Sequence, residues 1–205
     1  MPRLEACPQP PMQQCRQTTR AVARAVTSTM FVGIVIVLGS HLTTAQMDAP
    51  AKESPPDVPD AIAVPAGLEP VLFAHAKGSQ IYTCQPGADG KFVWTLKGPD
   101  AELKDRKDKV IGQHTAGPTW KLKDGSEVTG KAVAHVDALD PESIPWLLVN
   151  VTSHAGKGLL SDVTTIQRVH THGGQPPAEG CDESHKDAET KSNYSADYYF
   201  YAPAK

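Results

Sequence analysis

Between residues 68 and 202 the apolar residues recur with a period of two. They come in short runs closed by Gly, Pro or Asp-Gly, and no window sustains the apolar stripe of a long amphipathic helix. Successive side chains of a strand point to opposite faces, so this period is the signature of half-buried strands. The chain also holds 18 prolines and 16 glycines in 205 residues, which break helices and supply turns. The pattern predicts an all-β domain over residues 67–205, an antiparallel β-sandwich or barrel of about eight or nine strands.

Taken in order, Pro70–Ala76 and Gly78–Cys84 read as two strands joined by a Lys-Gly turn, and Lys91–Leu96 as the next strand after a loop ending in Asp89-Gly90. Ala101–Lys109 is charged, with only Leu103 to bury, and reads as a surface connection or one short helical turn. Trp120–Leu122 leads through Asp124-Gly125 into Ser126–Val136, a hairpin, because Asp-Gly suits the positive φ of a tight turn. In the return strand, alternation places Val128, Ala132, Ala134 and Val136 on one face. Pro145–His154 begins apolar on both faces, as a central strand does, and Ser161–His172 is a β-branched strand ended by Gly173-Gly174. Gln175–Asn193 is a polar loop, and Tyr194–Tyr201 is a last, aromatic strand with Tyr194, Tyr198 and Phe200 on one face and Tyr199 and Tyr201 on the other.

The N-terminus carries a different signal. Arg16, Arg20 and Arg24 precede the unbroken apolar run Met30–Leu38, and Thr43-Thr44-Ala45 supplies small residues before a cut. The run falls well short of the roughly 20 residues a spanning helix needs. Residues 1–45 therefore read as a cleaved signal peptide, leaving no stable membrane span, and the mature protein is expected in the periplasm or outside the cell. Residues 46–66 follow as a Pro-rich extended linker with few large apolar groups to bury.

Export decides the cysteines. Cys7 and Cys15 leave with the signal peptide, and Cys84 and Cys181 remain. An even pair in an exported domain, without the close C-x-x-C spacing of metal or redox sites, reads as a disulfide. Charge narrows the partners. Residues 1–45 hold four of the 20 basic groups and one of the 23 acidic ones, so residues 46–205 carry a net −6. That balance excludes nucleic acid as the main partner, since phosphate binding needs clustered Lys and Arg.

Several ordered segments carry a resemblance: Gln80-Ile81-Tyr82-Thr83-Cys84; Gly112-Gln113-His114 with Gly117-Pro118-Thr119-Trp120; Ile144-Pro145-Trp146-Leu147-Leu148; Arg168 with Thr171 and Gly173-Gly174; and Tyr194 to Phe200. Over roughly residues 58–201 the chain is similar to the DUF3455 family, exported bacterial and fungal proteins of unassigned function. The resemblance implies no activity and brings no catalytic residues.

Chemistry has to be argued from the residues. His170 and His172 stand two apart on a strand, so alternation puts both on one face, where with Glu179 they suggest the metal motif of cupins. The spacing to Glu179 is too long, and Arg168 on the same face would oppose a cation, so the pair is a weak metal candidate. His114 sits between glycines ahead of Gly117-Pro118 and reads as part of a bend, where an imidazole displays itself as acid, base or ligand, or holds the bend through backbone carbonyls. No G-x-S-x-G elbow exists. Gly156-Lys157-Gly158 lacks the third glycine and the following helix of a dinucleotide loop, which excludes a nicotinamide-dependent dehydrogenase. Trp94, Trp120, Trp146 and the closing tyrosines fill a β-core or line a ligand face. Asn150 and Asn193 match the glycosylation sequon, relevant only in a eukaryotic host.

The reading is a disulfide-closed, non-enzymatic envelope or extracellular binding module. It takes a small molecule or envelope component, with His114, Trp120 and Arg168 as ligand-binding candidates and no cofactor. The alternative is a secreted hydrolase or metal-assisted enzyme using His114 or the His170/His172 pair.

Overall fold

The structure, a computed structural model, describes residues 53–205; the expected signal peptide lies outside the described residues. Eight antiparallel strands form one closed barrel in chain order, so the domain is a barrel rather than a sandwich. The strands are β1 (Leu68–Pro86), β2 (Phe92–Lys104), β3 (Val110–Thr115), β4 (Thr119–Leu122), β5 (Glu127–Val136), β6 (Trp146–Ala155), β7 (Thr165–Gly173) and β8 (Glu189–Pro203). Closure comes from β1 pairing with β8, in a register from Leu68↔Pro203 to Thr83↔Glu189. Closing the sheet leaves no edge strand exposed to pair with other chains.

Length overrides two local turn signals. Lys77-Gly78 does not turn: the chain continues as a single 19-residue β1. At Gly78 an added Cβ would lie 2.2 Å from the Asp100 carbonyl oxygen, so this glycine permits a close approach of β1 to β2. Ala101–Lys104 is likewise strand, the end of β2, with Ala101 and Leu103 turned into the core. The Asp124-Gly125 hairpin forms as expected, with Gly125 at φ 93.

Two cores share the sheet. The inner face of β8 supplies Tyr194, Ala196, Tyr198 and Phe200, packed with Ala74, Ala76, Leu103, Trp120, Leu122, Val128, Val149 and Ile166. Outside, Phe73, Leu148, Val169, Tyr199 and Tyr201 form a second cluster with Ile62. The aromatic strand thus divides its rings as alternation requires. The apolar start of β6 has a similar explanation: Val149 faces inward while Trp146 and Leu148 join the outer cluster.

β5 departs from simple alternation. Its pairing with β6 shifts register between Ala132 and Ala134, so Val128 enters the inner core while Ala134 and Val136 pack on the outer cluster. One extra residue reverses the faces that follow, which is why the four do not share a side.

The outer cluster is covered by the Pro-rich arm. A 3-10 turn at Asp60–Ile62 buries Ile62 completely, and the Ile62 carbonyl accepts a 2.7 Å bond from Gln167 Nε2. Farther back, Glu53 takes a forked bond from Arg106, whose guanidinium lies 3.9 Å over the Phe73 ring. Ile62→Ala is expected to cost about 2–4 kcal/mol and to expose the arm to limited proteolysis. Glu53→Gln, which breaks an exposed pair, should change stability by less than about 1 kcal/mol. Urea melts of the two variants check the contrast.

Candidate functional site

β3, β4, β7 and β8 bring the sequence candidates together inside the barrel. His114 faces inward from β3, opposite Ala101 on β2 and Trp120 on β4. The small alanine leaves space, and the indole stacks on the imidazole with centroids 4.3 Å apart and planes 9° apart. Gly130 backs the indole: a Cβ there would stand 3.3 Å from Trp120 Cζ3 and 2.5 Å from Val149 Cγ1. Tyr198 meets both rings edge-on, 5.2 Å from His114 and 5.6 Å from Trp120. Across the ladder from Tyr198 stands Arg168, whose Nε and Nη2 donate to the Pro145 carbonyl at 3.2 and 2.8 Å.

His114 is in a strand, not in the bend that follows it, and only 3% of it is exposed. The flanking glycine that suggested a bend serves close packing instead: a Cβ on Gly112 would lie 2.3 Å from the Lys121 carbonyl oxygen. Nδ1 donates to the Thr119 carbonyl at 2.9 Å, which makes Nε2 the unprotonated nitrogen of the neutral ring. Burial pushes the imidazole from its ordinary 6.5 down to about 3; the Thr119 bond opposes this, and the Arg168 charge adds to it.

That shift carries a pH dependence. Below pH 6.5 the unfolded chain protonates His114 while the folded one does not, so acid favours unfolding. The stability from this group is complete above 6.5 and falls by about 1.4 kcal/mol per unit as the pH drops toward 3. His114→Gln should flatten this part of the stability–pH curve, and the His114 ring signals should not titrate between pH 8 and 4.

Around this pair the interior is polar. Burial raises the Tyr194 and Tyr198 hydroxyls well above the ordinary range, so both are protonated donors at neutral pH. Tyr82, also raised by burial, donates to the Gly174 carbonyl at 2.6 Å. Four buried polar atoms have no hydrogen-bond partner among the described residues: Gln80 Oε1, Trp120 Nε1, Tyr194 Oη and Tyr198 Oη. Tyr198 is in loose hydrogen-bonding contact with Tyr194 and with Arg168, but neither hydroxyl makes a well-formed bond. Most buried polar groups in folded proteins find partners, and four left over in one interior call for a reason.

The loop after β7 closes this region. Ile144 N donates to the Gly173 carbonyl, Thr171 Oγ1 donates to the Ile144 carbonyl, and Ser143 bridges Gly174. Gly174 has φ 86, and a Cβ on it would stand 2.9 Å from Tyr194 Cβ and 3.3 Å from Gln80 Cγ. The segments around Gln80, His114, Trp120, Ile144, Arg168 and Tyr194 therefore meet in one place. The model of the family described as "Protein of unknown function (DUF3455)" matches residues 65–202. The chain belongs to the DUF3455 family. No curated protein and no solved structure matches it.

In this DUF3455 domain the β7 histidines go elsewhere. The register shift between Val169 and His172 interrupts alternation, with His170 at φ 49. Arg168, before the shift, shares the inward side of Ile166 and pairs with Tyr198, while His170 turns outward to Asp197 Oδ2, 3.0 Å away, with its ring edge against Trp146. Asp197 Oδ1 also accepts from His75 Nδ1 at 2.8 Å, a pairing that sequence reading did not single out because the three residues lie on three strands. His172 lines a separate shallow groove, and the Glu179 carbonyl accepts from Trp94 Nε1. Among the described residues no group of three or more His, Cys, Asp or Glu side chains could hold a metal ion, and no helix is long and apolar enough to cross a membrane. Ser126 is buried but committed: its hydroxyl donates to Asp124 Oδ1 and accepts from Leu160 N.

Cys84 and Cys181 form a disulfide. Cys84 N and O also bond Ala188 and Asp187, so the β7–β8 loop is fastened to β1 along its return.

His114, Trp120 and Arg168 were singled out from the sequence as candidates, and Gln80 was not. The signal was there, because Ala74, Ala76, Gly78 and Gln80 follow one alternation whose apolar members are buried.

Proposed function

We propose that this DUF3455 domain is an exported, non-enzymatic binding module whose small-molecule ligand is held inside the barrel by His114, Trp120 and Arg168. The observation that carries the reading is a set of four buried polar atoms beside these residues: Gln80 Oε1 and Trp120 Nε1 without partners, and the Tyr194 and Tyr198 hydroxyls only loosely engaged. Unmade hydrogen bonds are costly in a folded interior and are a natural recognition surface for a ligand that completes them. Export is supported by the leader sequence and by the Cys84–Cys181 disulfide, a bond that persists in oxidising compartments.

The enzyme alternative has less behind it. A general base needs an orienting partner and a pKa near the working pH. His114 is oriented by a backbone carbonyl, has no carboxylate bonded to it among the described residues, and stays neutral down to about pH 3.

Two measurements test the reading on the untagged protein recovered from the periplasm or medium. N-terminal sequencing should find Gln46 first; recovery only from the cytoplasm sinks export. Elemental analysis alongside His114→Ala and His170→Ala addresses the alternative. One transition metal per chain, lost with either substitution, would put the metal-assisted enzyme first.

A further inference from the structure

We infer that the ligand of the barrel interior is a small carboxylate, anchored on Arg168 and surrounded by the Trp120 indole N–H and the Tyr194 and Tyr198 hydroxyls. The inference rests on the binding reading above and names the chemistry of that site.

Charge is the first argument. Arg168 is half-buried, and no described carboxylate pairs with it; two of its nitrogens are spent on a neutral carbonyl. Its charge nevertheless reaches Tyr82, His114, Tyr194 and Tyr198. A half-buried cation facing neutral rings is stabilised when an opposite charge arrives. A planar carboxylate matches the guanidinium fork better than a spherical ion does.

The donor count is the second argument. Trp120 Nε1 is a donor without a partner, and the Tyr194 and Tyr198 hydroxyls, only loosely engaged with each other and with Arg168, are donors as well. The fourth atom belongs to the Gln80 amide, which by turning about its axis presents either an acceptor or a donor at the same place. Among the described residues no buried acid competes for these donors: the buried polar ones are Gln80, His114, Ser126, Ser143, Thr165, Gln167 and Thr171.

Access and size narrow the ligand further. A shallow groove of about 550 Å³ runs outside β1, β7 and β8, and Tyr194 belongs to both its lining and the interior cluster. The lining carries Lys77 and His172 and no carboxylate of its own, while Asp140 stands near His172 and Asp100 near Tyr194 at its margins. An eight-stranded barrel has an interior just wide enough for side chains or one small ligand. Phe200, Leu103, Val128 and Ile166 already fill part of this one, which restricts the ligand to a compact acid.

The test uses the full mature chain, titrated at constant ionic strength with acetate, propionate and benzoate, each against its neutral amide. The readouts are Tm and the assigned Trp120 indole N–H resonance. The expected result is a saturable shift of that resonance and a raised Tm with at least one carboxylate and with no amide. Arg168→Met should weaken carboxylate binding by roughly tenfold or more, the worth of one charged hydrogen bond. Arg168→Lys, which keeps the charge and gives up the fork on Pro145, should retain the preference for acid over amide even if Arg168→Met does not fold. Amides binding as well as acids would overturn the carboxylate inference and leave the interior site standing, as would saturation by neither class. Carboxylate binding that spares the Trp120 resonance and survives Arg168→Met would overturn the site itself.

Discussion

Reducing the Cys84–Cys181 bond lowers the unfolding free energy of the barrel by about 4–5 kcal/mol. The expectation follows from loop length. The two cysteines are 97 residues apart, and the loop they close includes β2 through β7. A cross-link of that span removes much of the conformational freedom of the unfolded chain, and its effect grows with the logarithm of the loop. The folded barrel keeps its ladders without the bond, because Cys84 remains paired with Trp94 and its backbone groups stay bonded to Ala188 and Asp187. Urea melts with and without reductant, repeated on the Cys84→Ser/Cys181→Ser double variant, measure the difference. A loss under about 1 kcal/mol would mean that the reduced, unfolded chain is already compact, so that the bond constrains little.

Trp120→Ala is expected to cost about 3–5 kcal/mol, the range for deleting a large ring from a packed interior. The indole is 2% exposed and touches three other rings: it stacks on His114 and meets Tyr198 and Phe200 edge-on. Its neighbours lie on β3, β5 and β8, which cannot collapse together without breaking register, so the space stays open. Water entering it would relieve the burial that depresses His114. The variant should thus be less stable at neutral pH and show a His114 that titrates closer to 6.5. Denaturant melts give the first effect and imidazole NMR the second. Trp120→Phe should recover much of the stability, since a ring still occupies the site.

These variants lie where sequence and structure agree unequally. Alternation made the strands and the inward rings of β8 legible, because inner and outer residues of one strand have different solvents. Closure was not legible: it depends on β1 meeting β8, a contact between opposite ends of the domain that no local window contains. Nor were the register shifts in β5 and β7, where one added residue turned Ala134 and His170 outward. His114 lies on a strand rather than in the bend expected of it, since Gly112 and Gly117 suggested a bend where one glycine serves packing and the other the turn after β3. The arm escaped because its composition is that of a solvated linker, and a single residue, Ile62, accounts for its deepest contact. At the site, His114, Trp120 and Arg168 were visible as individual residues. Their convergence with Gln80, Tyr194 and Tyr198 was not, because it is made by side-by-side strands distant in sequence.

The pairing of β1 with β8 also orders events during synthesis. Half of the central ladder and four inner-core residues, Tyr194, Ala196, Tyr198 and Phe200, belong to β8. While the ribosome is still adding these residues, β1 has emerged with no partner along its closing edge. Contacts of such long sequence separation form slowly, after the intervening hairpins. The nascent chain is therefore committed to staying open until β8 emerges, and whatever holds or moves it before then handles an unclosed sheet rather than a finished barrel.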